Sequence, residues 1–122
     1  MPPMPPAEML EPFVGDEVAQ VRLDPFGLQL SFLNGRQLAI EHVVEHVEPD
    51  GTRHRYDCQA SERPPLLLHR LLLRPVASVE REELSFTLRF EDGAALVVHA
   101  ALDGHESGHI VVPGEPTGWV VF

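Results

Sequence analysis

Residues 76–100 align without a gap on residues 18–42 at a constant offset of 58, and seven of the 25 paired positions are identical. The identities are Val18/Val76, Ala19/Ala77, Val21/Val79, Leu30/Leu88, Phe32/Phe90, Gly35/Gly93 and Leu38/Leu96; Phe26/Leu84, Leu28/Phe86, Asn34/Asp92 and Ile40/Val98 swap like for like. A chain that writes the same apolar spacing and the same turn residues twice is constrained to build the same local unit twice. In the second copy Leu84, Phe86, Leu88 and Phe90 alternate with Ser85, Thr87 and Arg89. Period two places the apolar set on one face of a half-buried strand. Leu28, Leu30 and Phe32 repeat the pattern against Gln29 and Ser31. Asn34-Gly35 and Asp92-Gly93 tolerate positive φ at both central positions of a tight hairpin. Leu38/Ile40 and Leu96/Val98 then alternate on the returning strand.

The rest of the chain extends each copy. Strands are expected over 14–23, 27–33, 36–47 and 52–58, with Asp24-Pro25-Phe26-Gly27 and Asp50-Gly51 as turns. Asp103-Gly104 and Thr117-Gly118 punctuate the second copy, with late strands at Ile110–Val112 and Trp119–Phe122. Between the copies Pro64-Pro65-Leu66-Leu67-Leu68-His69-Arg70-Leu71-Leu72-Leu73 starts with prolines and stops at Pro75, which predicts one buried helix over about 62–74. Residues 1–13 are proline-rich and read as a flexible tail. The expected fold is α+β and mostly antiparallel β. Two pseudo-symmetric four-stranded meanders, about 14–58 and 76–122, are joined by the helix around a single core.

Composition narrows function by exclusion. The net charge is −10 with nine basic residues, all arginine, which argues against nucleic acid as a partner. No apolar run is long enough for a membrane helix, and the proline-rich start lacks the basic and apolar regions of a secretory signal. The single cysteine, Cys58, leaves no internal disulfide and fits a reducing compartment, with the cytoplasm as the expectation. Asp57 beside it disfavours a thiolate, so Cys58 is a poor nucleophile.

His105-Glu106-Ser107-Gly108-His109 spells the H-E-x-x-H pattern of zinc proteases, whose chemistry needs a helix to bring both histidines to one face. Gly104, Gly108 and the strand-like Ile110-Val111-Val112 oppose a helix, so the motif reads as a decoy. His42 and His46 read as the solvated end of a strand that outruns the sheet, and a metal site with His99 or His105 has no recognisable spacing. Glu106 reads as a structural carboxylate. Neither a phosphate loop nor a nucleophile elbow is visible. The expectation is no catalytic residue, no cofactor and no metal. Glu80, Glu82 and Glu83 remain as a candidate partner-binding cluster, because the first copy carries Arg22, Asp24 and Pro25 at those positions.

The repeat unit (Val-x-x-Val, then Leu-x-Phe-x-Asn/Asp-Gly-x-x-Leu-x-Ile/Val), the Leu-Leu-His-Arg-Leu-Leu segment, Phe90-Glu91-Asp92-Gly93, His105-Glu106-Ser107 and Gly118-Trp119 resemble a family of small bacterial proteins known only as a domain of unknown function. Some small acidic proteins of this kind are similar to immunity proteins that neutralise a toxin in the same cell. The resemblance implies the two-repeat architecture and a binding role, and carries over no catalytic residue. The functional expectation is a non-enzymatic domain that binds a protein partner, with a basic partner favoured by the acidic charge. A self-associating accessory protein or homodimer is the alternative, and a metal protein or enzyme comes third.

Overall fold

The computed structural model describes residues 4–62, 64–102, 106–114 and 119–122. Its described residues are mostly antiparallel β: β1 (Val18–Asp24), β2 (Gly27–Phe32), β3 (Gln37–Ile40), β4 (Val43–Val47), β5 (Arg53–Asp57), β6 (Val76–Arg81), β7 (Ser85–Phe90), β8 (Ala95–His99), β9 (Gly108–Val111) and β10 (Trp119–Val121). They form two five-stranded sheets, ordered β1-β2-β3-β9-β10 and β5-β4-β8-β7-β6.

This order corrects the expectation that each copy keeps its four strands together. Each sheet takes three strands from one half of the chain and two from the other. The strand expected over 36–47 is broken at Glu41-His42, so that β3 lies in one sheet and β4 in the other. Burial supplies the reason. Leu38 and Ile40 face the core from one sheet, while Val44 and His46 face it from the opposite sheet, and all four are buried. An unbroken strand has only one inward row per sheet and cannot serve both.

Within the repeated stretch the pairing registers agree at the same offset. Val18 opposes Phe32 and Val76 opposes Phe90, Leu30 opposes Leu38 and Leu88 opposes Leu96, and both first strands carry an irregularity after their opening valine. The turns also agree, in a form other than the one expected. Gly35 and Gly93 have φ of +94° and donate back to the carbonyls of Phe32 and Phe90, while Asn34 and Asp92 keep negative φ. A turn followed by one left-handed glycine is the three-residue hairpin loop, which needs positive φ at the glycine alone. One aromatic on each inward row packs in the core, since Phe32 and Phe90 are both 3% exposed. The apolar alternation ends one step early, because Phe26 and Leu84 lie outside the core at 70% and 53% exposure.

The expected helix over 62–74 is reduced to a 3₁₀ turn at Leu68–Leu71, with Arg63 outside the described residues. Only Leu68 and Leu71 of the leucine run are fully buried. Leu73 donates its N–H to the Val18 carbonyl (2.8 Å) and Leu72 bridges Val18, so the segment runs against β1. Six leucines could satisfy a helix only if most of its circumference were enclosed. Only Leu68 and Leu71 are buried in the shared core, and Pro75 must enter the bridge with Glu17, so extended backbone wins.

The segment expected as a flexible tail is packed in its described part. Residues 7–10 form the short helix α1 (Ala7–Leu10), and Met4, Leu10 and Phe13 are at most 1% exposed. Phe13 meets the Phe32 ring edge-on at 4.9 Å. The Arg81 guanidinium donates to the carbonyls of Pro5 (2.8 Å) and Met4 (3.0 Å), fixing this segment to β6. Proline content made the segment look unstructured, but its three apolar side chains outweigh that signal once a groove exists to receive them. One continuous hydrophobic cluster joins this segment and both sheets. Within it Phe86 of one sheet meets Phe122, at the end of the other, at 5.4 Å.

Candidate functional site

The expected acidic cluster sits around the β6–β7 turn, which is closed by the Glu82 N–H donating to the Ser85 carbonyl (2.8 Å). The structure divides the cluster. Glu80 points outward from β6 and pairs with Arg89 of β7 at 3.0 Å. The hydrogen bond from Arg89 lowers the Glu80 carboxyl from its ordinary range, and the same bond raises Arg89. Its charge is thereby answered within the sheet. Glu82 and Glu83 are exposed on the turn itself, and neither has a side-chain partner among the described residues. Leu84 follows them at 53% exposure. The Ala100 N–H donates to the Leu84 carbonyl (2.9 Å), which ties the turn to the chain leaving β8 (Ala95–His99). Two carboxylates and one aliphatic side chain therefore stand together on a turn anchored on both flanks.

Beside this turn the outer face of the same sheet holds a depression of about 550 Å³ lined by His42, Val43, Arg55, His99, Ala100 and Leu102. Strand alternation explains its lining, because residues of β4 and β5 that face outward oppose one another, as Glu45 does Arg55. Glu45 Oε1 takes His99 Nε2 at 2.7 Å and Oε2 takes Arg53 at 3.3 Å. Burial raises the Glu45 carboxyl, but the hydrogen bond and charge of His99, with Arg53, outweigh it and leave the group below its ordinary value. A second depression, about 480 Å³, lies on the other sheet and includes Arg22, Gln29, Ala39 and His109. There Arg22 is already bound to Gln29 (2.9 Å) and Asp24 (3.4 Å).

Of the four histidines considered together in the sequence, the three that are described do not gather at one place. His42 and His99 line one depression. His46 points the other way, into the core, at 1% exposure. His105 lies outside the described residues, as do Asp103-Gly104 and Thr117-Gly118. His109 stands on β9, a strand, so the H-E-x-x-H spacing lacks the helix its chemistry requires. Among the described residues no three of His, Cys, Asp and Glu gather as metal ligands. Cys58 is buried, with its Sγ 3.6 Å from the Ile40 carbonyl. Glu106 is exposed, while Ser107 beside it is buried and accepts the Ala101 N–H at its Oγ (2.7 Å). Among the described residues no helix is long and apolar enough to cross a membrane.

The expectation that His46 is solvated is overturned by the strand break, which turns it inward opposite Leu96 of β8. The corresponding place in the other sheet, opposite Leu38, belongs to Ile110. His46 Nδ1 is buried without a hydrogen-bond partner among the described residues, and the His54 ring lies 5.7 Å away. His54 pairs with Glu48 (2.8 Å), which also holds Arg70, and both bonds lower the Glu48 carboxyl. Burial first, and the neighbouring His54 second, lower the His46 pKa. A histidine whose folded pKa is depressed resists a proton that the unfolded chain accepts. The unfolded state therefore gains protons first as pH falls below about 6.5, and stability declines there. Replacing His46 by isoleucine, the residue at the matching place, should flatten the decline in chemical-denaturation midpoints between about pH 7 and pH 5. An unchanged slope in His46→Ile would assign the acid sensitivity elsewhere.

Arg55 and Leu102 escaped the sequence reading. Neither belongs to a recognisable motif, and only the exchange of β4 and β5 into the second sheet brings them to His99. No family model matches the chain, and comparison with curated proteins and with solved structures finds no match either.

Proposed function

We propose that this chain is a non-enzymatic protein-binding domain, most concretely an immunity-type inhibitor, and that the β6–β7 turn contacts a basic partner. The observation that supports this is the exposed Leu84 beside Glu82 and Glu83, two carboxylates with no partner among the described residues. An aliphatic anchor rimmed by like charge suits a partner of opposite charge, with the carboxylates steering encounter and the leucine lost from water on docking. The paired Glu80 drops to a supporting role. The two halves are read here as pseudo-symmetric units that exchange their last two strands. The matching registers support that relation, and the acidic turn is a departure from it.

Self-association through a sheet edge is the second reading. Of the four edge strands β1, β5, β6 and β10, all but β10 carry charged side chains of the kind that keep an edge from pairing with another chain. The net charge of −10 also opposes self-association by repulsion, so a heterologous partner is preferred to a homodimer. The test uses a partner captured on the immobilised chain and then purified. Its association rate with Glu82→Arg/Glu83→Arg should fall several-fold at low salt, and the difference should shrink as salt rises. An association rate unaltered by the reversal at low ionic strength would remove the turn from the interface.

A further inference from the structure

We propose that the depression bounded by His42, Arg55 and His99 is a second binding site, which takes a peptide carboxylate flanked by an aliphatic side chain. Its polar lining residues are an arginine and two histidines, in a chain whose net charge is −10. Arg55 lies directly opposite Glu45 across the β4–β5 ladder, yet both Glu45 oxygens are taken, one by His99 and the other by Arg53. The other carboxylate on the Arg55 row, Asp57, accepts the Gln59 N–H at its Oδ1 (2.9 Å). Arg55 is exposed and makes no ion pair among the described residues. Its fork of N–H donors is thus available on the wall of a concave site, the geometry that matches a carboxylate.

The remaining lining is apolar. Val43 is outward-facing but only 4% exposed, which gives the depression a closed floor, and Leu102 stands at its rim 79% exposed. An inorganic anion would leave that floor and rim unused. A carboxylate with an adjoining aliphatic group engages both, as small-ligand sites pair one oriented polar contact with apolar contact area. The site is separate from the contact proposed for Glu82 and Glu83, and its test needs no protein partner.

The probe is N-acetyl-leucine, with N-acetyl-leucinamide and inorganic phosphate as companions, titrated into the full chain while backbone amide shifts are followed by NMR. N-acetyl-leucine should shift amides of Val43, Arg55 and Ala100 in a saturable way. The amide analogue, which keeps the side chain and loses the charge, should bind at least about tenfold more weakly, and Arg55→Gln should produce a similar loss. Arg55 is exposed, so the variant is expected to keep the wild-type spectrum elsewhere. Three results would each overturn the proposal: no saturable shift, equal response to acid and amide, or phosphate binding as tightly as N-acetyl-leucine. A loss of binding in Glu82→Arg/Glu83→Arg matching that in Arg55→Gln would likewise remove the pocket as a separate site.

Discussion

Gly108→Ala is expected to abolish the native fold. Gly108 opens β9 and is clamped on both sides, paired with Ile40 of β3 and exchanging hydrogen bonds with Phe122. A Cβ at this position would lie 2.1 Å from the Ala39 carbonyl oxygen and 2.9 Å from Phe122 Cζ. The first obstacle is backbone in the neighbouring strand, so relief requires β3 and β9 to part. That separation would strip the sheet of its link between β1-β2-β3 and β9-β10 and expose Ile110, Leu38 and Phe122. Losing even one such buried side chain costs roughly 1.5–3 kcal/mol, against a typical total stability of 5–15 kcal/mol. Far-ultraviolet and near-ultraviolet circular dichroism of the purified variant should show loss of the native tertiary signal. A cooperative melt within a few degrees of wild type would show that the β3–β9 contact is not needed.

Phe32→Ala and Phe90→Ala should each cost about 3–5 kcal/mol, and the two costs should be similar. The rings occupy matched positions, each opposite the opening valine of its half and each 3% exposed. They differ in one neighbour, because Phe32 also meets Phe13 edge-on. Such a pair adds roughly 0.5–1.5 kcal/mol beyond burial, so Phe32→Ala should be the more damaging of the two. Urea unfolding with shared slopes decides this. A large cost at one position and almost none at the other would show that the matched registers do not translate into matched packing.

Much of the fold was legible because the repeated stretch is local. The strand alternation in 86–90, and the glycine at each loop end, depend on residues a few positions apart, and those features are found where the spacing placed them. The strand exchange was not legible. It depends on Glu41-His42 breaking a run that alternates acceptably as one strand, and no local pattern distinguishes a bend from a continuation there. The leucine run misled for a related reason. Its composition suits a buried helix, but Leu72 and Leu73 are committed to backbone contacts with β1, 54 and 55 residues away in sequence. The candidate turn was half legible: charge asymmetry between the copies marked Glu80, Glu82 and Glu83, whereas the cross-strand bond to Arg89 that neutralises Glu80 required the register.

Docking of a basic partner at the β6–β7 turn, as proposed, can be read from a photo-reactive side chain placed on that turn. One variant carries the reactive group in place of Leu84 and a control carries it in place of Leu33, which is 56% exposed and hydrogen-bonded through its N–H to Glu17, beside the start of β6 rather than its end. The account predicts that the captured partner cross-links from position 84, that Glu82→Arg/Glu83→Arg removes this product at low salt, and that position 33 gives none. Equal cross-linking from both positions, or a product from position 84 that survives the charge reversal, would contradict it.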